Sequence, residues 1–248
     1  MFRTLFAALV AILDTLVVAS LVMVVTLAHP GSRWVDPLIR RWARIIVRAA
    51  GIRLSVENLD LIDPARRFVI IANHYSWLDI PCLLAAIPQP IRFMAKVSLF
   101  KIPIFGWALA TSGFIPVDRK KRSTAVKSFD LAAERIRKGN TIVIFPEEGR
   151  SRMRTMRPFQ RGAFLLALRS GLPILPMAID GTFDVFPARS LRVTPGPVTI
   201  RVAPPVEIEG MSVRDRKNLA AATRTTIGTM LFGTETFAQM EAEEADSR

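Results

Sequence analysis

Phe68-Val-Ile-Ile-Ala72, which runs directly into Asn73-His-Tyr-Ser-Trp-Leu-Asp79, is the stretch that decides the fold. Five apolar residues, mostly β-branched, form a strand covered on both faces, because a solvent-facing side would impose alternation. Ile91–Ala95, Phe114–Val117, Thr141–Phe145 and Ile174–Ile179 repeat the pattern. Helical periodicity separates several of them. Ser123–Lys138 aligns Val126, Phe129, Ala133 and Ile136 and stops at Gly139-Asn140. Phe159–Arg169 is closed by Ser170-Gly171, and Arg214–Leu231 predicts a C-terminal helix. The pattern predicts an α/β fold: a single domain over 51–232 with a largely buried mixed or parallel sheet flanked by helices.

In such sheets chemistry collects beyond the carboxyl ends of the strands. His74 and Asp79 follow the first strand, Lys96 the second, Asp118 and Arg119 the third, and Glu147 and Arg150 the fourth. A carboxylate five positions after a histidine can hold one ring nitrogen protonated and leave the other free as a base. On one regular helix the pair would diverge by about 140°. His74 therefore belongs in the turn and Asp79 in the first turn of the next helix. Ser76, three residues before Asp79, matches a capping box. The spacing is equally compatible with a core histidine followed by a helix-start acid. No G-x-S-x-G elbow surrounds Ser76, which reads as a cap or turn residue rather than a nucleophile. Lys96, Arg119 and Arg150 form an anion-binding set, since arginine forks grip phosphate bidentately. With Arg150, the residues Arg152, Arg154, Arg157 and Arg161 make five arginines in twelve residues, of which Arg152, Arg154 and Arg157 read as a solvated or membrane-facing basic loop.

The whole chain is 248 residues with 34 Lys and Arg against 21 Asp and Glu, a formal charge of +13, and it is 50% hydrophobic. Its single cysteine excludes a disulfide scaffold, and its two histidines leave no ligand-spaced zinc cluster. A basic chain usually meets nucleic acid or an anionic membrane. The apolar excess, and the lack of an aromatic-studded basic groove, point to anionic membrane lipids and away from nucleic acid.

Leu5–Ala28 is apolar apart from Asp14 and a few hydroxyl residues. As a helix its 24 residues would extend about 36 Å, against a hydrocarbon core of about 30 Å. It exceeds the apolar core of a cleaved signal peptide. A spanning helix must accommodate Asp14, whereas one entering a single leaflet keeps Asp14 nearer water. After the turn His29-Pro-Gly-Ser32, Arg33–Ala50 aligns Trp34, Leu38, Trp42, Ile45, Ile46 and Ala49 between arginines, as an interfacial helix would. A helix packed on the domain core fits the same pattern. Residues 1–50 are thus expected to be a two-helix membrane anchor. The arginines that follow the apolar run are expected to keep the rest of the chain on the cytoplasmic face of the membrane. Residues 233–248 are expected to be a tail, its last eight frayed and solvated, with a net charge of −3.

Asn73-His74-x-Ser76-x-x-Asp79 resembles the His-x4-Asp signature of the glycerolipid acyltransferases. Gly113-Phe-Ile-Pro-Val-Asp118-Arg119, Phe145-Pro-Glu147-Glu-Gly149-Arg150-Ser151 and Leu172-Pro-Ile-Leu-Pro176 resemble that family's later blocks. Lys96 to Gly106 resembles the stretch between the first two, and the most similar branch acylates 1-acyl-glycerol 3-phosphate. Glu148 and Gly149 stand where the family has Gly and Thr, a departure that could mark another acceptor.

The resemblance implies a direct transfer. His74 would take the proton of a lysophospholipid hydroxyl, and Asp79 would orient His74. The hydroxyl would attack an acyl-CoA or acyl carrier protein thioester, with no metal or prosthetic cofactor. Lys96 and Arg150 would hold the acceptor phosphate, with Ser151 and Gly149 in the same loop. Glu147 and Arg119 would shape its glycerol end, and Asn73, Ser76 and Pro176 would support the site. The product would be phosphatidic acid for phospholipid biosynthesis. A related acceptor such as lyso-ornithine lipid, or a thioesterase or lipase using the same pair on water, are the alternative activities. Leu99 to Leu109 would either line an acyl tunnel or pack in the core.

Overall fold

A computed structural model describes residues 2–118, 128, 131–132, 134–136, 139–147, 149–151 and 153–246. Helices α1 (Phe2–Ala28) and α2 (Val35–Ala50) come first, then strand β1 (Ile52–Glu57). Strand β2 (Val69–Ala72), helix α3 (Asp79–Ala86), strand β3 (Ile91–Lys96), helix α4 (Phe105–Thr111) and strand β4 (Ile115–Val117) follow. Next come β5 (Thr141–Ile144), α5 (Gly162–Ser170), β6 (Ile174–Asp180), the short α6 (Thr182–Val185) and β7 (Gly196–Val202). Helices α7 (Arg216–Phe232) and α8 (Thr234–Asp246) close the chain. The helix expected over Ser123–Lys138 lies largely outside the described residues.

The seven strands form one mixed sheet in the order β1-β7-β6-β2-β5-β3-β4. From β6 to β4 every neighbouring pair is parallel, so five strands end on the same edge. β7 runs antiparallel to β6 and pairs parallel with β1. Alternate residues of each central strand enter different cores. Phe68, Ile70 and Ala72 face a cluster shared with α1 to α4, while Val69 and Ile71 face one shared with α5, α7 and α8. Both faces are covered, which explains the unbroken apolar runs. β1 and β7 were not expected. Both alternate apolar with polar residues, as strands with one covered face do, and a search for continuous runs passes over them.

Two expectations need correction. The apolar stripe of α2 packs on protein rather than standing free. Ile39, Ala43, Ile46 and Val47 are buried in the core shared with the sheet. Asp36 pairs with the buried Arg92 at 2.7 Å, and Arg40 donates to the carbonyls of Ile87 and Pro88 at the end of α3. Trp34 alone of the expected stripe is strongly exposed.

The C-terminal octet is largely helical rather than a frayed tail. In α8 Phe237 is fully buried against α7, and Glu241 and Glu244 pair with Arg224 at 2.6 and 2.7 Å. A charge count sees the acids but not their partner on the preceding helix.

α1 is long and apolar enough to cross a membrane by length and composition. One side of it is fastened to the rest of the chain. Thr4 Oγ1 accepts from the Val193 amide at 3.1 Å. Asp14 pairs with Arg41 at 3.3 Å, Thr15 accepts from the Trp42 indole at 2.9 Å, and Val18, Ala19 and Val22 are buried. Its other side exposes a row of large apolar residues from Phe2 to Leu27.

Candidate active site

β2 lies between β6 and β5 as the central strand of the seven, and the turn after it emerges on the common carboxyl edge. Asn73 anchors that turn. Its amide donates to Ile179 O at 2.9 Å and accepts from Ile179 N at 2.7 Å, continuing the β2–β6 ladder through a side chain. His74 follows in the turn and Asp79 is the first residue of α3. Asp79, 0% exposed, brings Oδ2 to 2.8 Å from His74 Nδ1. The same oxygen accepts from the amides of Tyr75 and Ser76 at 2.8 and 2.9 Å. Three donors converging on one carboxylate oxygen fix both partners. With Nδ1–H given to Asp79, Nε2 is the basic nitrogen, and among the described residues no side chain pairs with it.

Ser76 makes half of the expected capping box. Its amide donates to Asp79, but its hydroxyl accepts from Leu78 N at 3.2 Å and donates to Phe186 O at 2.7 Å. Fully buried and committed to the main chain, it is a turn residue.

The loop after β5 closes over the same turn. Phe145 stacks on the His74 ring at 4.1 Å and 9°. Sequence reasoning assigned it no role, although the alternation along β5 puts Val143 and Phe145 on one face. Glu147 accepts from His74 N at 2.8 Å through Oε1 and from Arg157 N at 2.9 Å through Oε2. Both its oxygens are occupied by main-chain donors. In this arrangement Glu147 is a clamp that ties the backbone of His74 to that of Arg157. Burial pushes its carboxyl up to about 7, against the lowering effect of the two amides. Ser151, also buried, donates its amide to His74 O at 2.9 Å.

Arg150 is half-buried, with its Cζ 4.8 Å from the Trp77 ring centroid. Burial lowers its proton affinity while nearby Asp79 raises it. Among the described residues its guanidinium has no hydrogen bond or ion pair, so its donors are available. Gly149 sits beside Arg157, whose Nη1 would be 3.4 Å from an added Cβ. Lys96 is exposed at the end of β3, on the same edge. Arg119, Glu148 and Arg152 lie outside the described residues.

Pro176 is an interior residue of β6, opposite Ile71 of β2, with its carbonyl accepting from Ala203 N. Gly106 is required where it stands, since any Cβ would collide with the Phe100 carbonyl. Around it the Leu99–Leu109 stretch is divided. Phe100 and Leu109 pack on the core, whereas Leu99, Ile102, Ile104 and Trp107 are exposed. Among the described residues no group of three or more His, Cys, Asp or Glu is placed to hold a metal ion.

Against known proteins, residues 53–180 match the family model described as Acyltransferase. A Brassica napus protein named 1-acyl-sn-glycerol-3-phosphate acyltransferase BAT2, chloroplastic, is 35% identical over 55% of this chain and 39% of its own length. The mouse 1-acyl-sn-glycerol-3-phosphate acyltransferase alpha is 32% identical over 73% of this chain and 64% of its own. An uncharacterized acyltransferase of Schizosaccharomyces pombe is 30% identical over 77% and 70%. The chain thus spans less than two thirds of the Brassica and mouse proteins. The crystal structure of the 1-acyl-sn-glycerophosphate (LPA) acyltransferase from Thermotoga maritima superposes with a TM-score of 0.80, covering 97% of this chain and 95% of that one. At 24% identity it shows a shared fold.

Proposed function

The chain belongs to the acyltransferase family, and from that premise we propose that it acylates the sn-2 hydroxyl of 1-acyl-glycerol 3-phosphate to give phosphatidic acid. The observation that carries the reading is the His74–Asp79 pair at 2.8 Å, set beside an arginine whose donors are unengaged among the described residues.

His74 Nε2 takes the acceptor's hydroxyl proton as its oxygen attacks the thioester carbonyl. The new C–O bond forms, the C–S bond breaks, and the departing thiolate takes the proton back from His74. Asp79, wholly out of solvent, offsets the positive charge of the intermediate imidazolium and holds the ring in one tautomer. Phe145 and the Glu147 clamp keep the ring and its backbone in place. Arg150 and Lys96 hold the acceptor phosphate, and either acyl-CoA or acyl carrier protein supplies the thioester. No protein-bound acyl intermediate enters the scheme, and Ser76 has no part in it beyond the turn.

The exposed row on α1 is the membrane-facing surface, and α1 is the anchor, with α2 joining it to the domain core. α1 is tied to the domain at Thr4, at Asp14 and Thr15, and around Val22. A helix held against the domain near its start, middle and later turns lies in one leaflet rather than crossing two. The catalytic edge then works at the cytoplasmic face of the membrane, where anionic headgroups meet the basic loop.

The test is an assay of purified protein with acyl-CoA and acyl carrier protein donors against lysophosphatidate, lyso-ornithine lipid and water alone. Phosphatidic acid should form, with thioester consumption dependent on acceptor. Equal consumption without acceptor would make the chain a thioesterase. A preference for lyso-ornithine lipid would move the assignment to that acceptor.

A further inference from the structure

Trp77 occupies an unusual place. The residues around it are withdrawn from solvent: Asn73, Ser76 and Asp79 are at 0%, Tyr75 at 2% and Leu78 at 8%. Trp77 is 65% exposed. Apolar burial does not account for an indole kept outside on a turn this tightly packed. Its ring contact is with Arg150, Cζ to centroid 4.8 Å, a residue carried by the separate loop after β5.

That contact has a chemical consequence. A guanidinium has two faces and an edge, and all of its N–H donors lie along the edge. A ring over one face is attracted to the cation and consumes none of those donors. A carboxylate partner would have consumed them. Among the described residues Arg150 thus lies against the ring with its fork open, the arrangement that bidentate capture of a phosphate requires.

We propose that Trp77 is a positioning residue for the acceptor phosphate: its indole holds Arg150 in register with the His74–Asp79 turn, so that the bound hydroxyl is presented to His74. This rests on the reading that Arg150 receives that phosphate. Because Trp77 rides on the turn that carries both catalytic groups, one rigid segment sets the base and, through the stack, the anion grip. Trp77 acts through Arg150 and touches neither the base nor the thioester.

The experiment is a double-mutant cycle on the full chain in detergent micelles, with KM and kcat for lysophosphatidate measured for wild type, Trp77→Ala, Trp77→Phe, Arg150→Ala and the double Ala variant. Trp77→Ala should raise KM roughly tenfold with a much smaller change in kcat, the scale of a partly desolvated cation–ring contact. Trp77→Phe, which keeps a ring, should recover most of the loss. In the Arg150→Ala background the Trp77→Ala change should add almost nothing. An unchanged KM in Trp77→Ala, or the same factor in both backgrounds, overturns the proposal; the second result would make Trp77 an independent membrane contact. Calorimetric titration of lysophosphatidate into the same five proteins gives the comparison without turnover. Wild type that binds the lipid but does not acylate it would refute the functional reading, and the Kd values would still decide the role of Trp77.

Discussion

Asp79 and Glu147 are both buried carboxylates at the same sheet edge, and both accept main-chain amides, but they differ in reach. The donors to Asp79 are His74, Tyr75 and Ser76, all within five residues and all on Oδ2. Those to Glu147 are 73 and 10 residues away and take one oxygen each. Asp79 shapes its own turn and meets the His74 imidazole directly. Glu147 joins two loops and meets only the backbone of His74. A local carboxylate serves orientation and charge at one ring, whereas a long-range one fixes how two loops sit together. Substitution should therefore strike rate in the first case and stability in the second.

The largest effect should fall on the local side. His74→Ala should lower kcat by roughly a thousandfold, the scale of a lost general base, with the melting temperature little changed. Asp79→Asn should fall in the same range, because the amide cannot offset imidazolium charge. Near-normal acyl transfer by His74→Ala, measured with labelled thioester, would break the comparison by removing the group that Asp79 serves.

The long-range side should answer in stability and pH. Glu147→Gln offers one acceptor where two main-chain donors arrive, so one amide faces an NH2 group. The cost should be about 1–3 kcal/mol. The pH dependence has a definite sign. The Glu147 carboxyl sits near 7 in the fold, against an ordinary 4.5. Between those values the folded state keeps a proton that the unfolded chain has lost, so its contribution is full below 4.5 and fades as pH rises through 7. The gap in melting temperature between wild type and Glu147→Gln should be widest near pH 4.5 and narrow toward pH 8. A gap constant across that range would show that Glu147 stays ionised in the fold.

The same difference in reach explains what the sequence makes legible. The Asp79 turn could be placed in advance because its partners are sequence neighbours whose spacing dictates the geometry. The central strands were equally accessible, since coverage on both faces leaves an unbroken apolar run such as Val69–Ala72. β1 and β7 were not, because one covered face leaves only alternation. Glu147 stood out as a charged residue past a strand, and nothing local says that its partners are the amides of His74 and Arg157. The Phe145 stack, the burial of α2 and the Arg224 pairs of α8 likewise depend on elements distant in sequence or on a neighbouring helix.

The smallest effect should come from Gly149, between the clamp and the open arginine. Here the comparison can be sharpened, since Gly149 lies where the resembled family carries Thr. Its backbone is outside the left-handed region, so glycine is not demanded by conformation. A methyl group there would meet Arg157 Nη1 at 3.4 Å, the movable end of a long side chain rather than backbone. Any contact Gly149 makes with an acceptor must come from its main chain, which alanine retains. Gly149→Ala should therefore keep kcat/KM within about twofold and stability within about 0.5 kcal/mol, as a strain-free substitution does. A tenfold rise in KM would mean that the acceptor approaches this backbone too closely for a Cβ. The loop would then contribute a steric wall as well as the Glu147 clamp and the Arg150 fork.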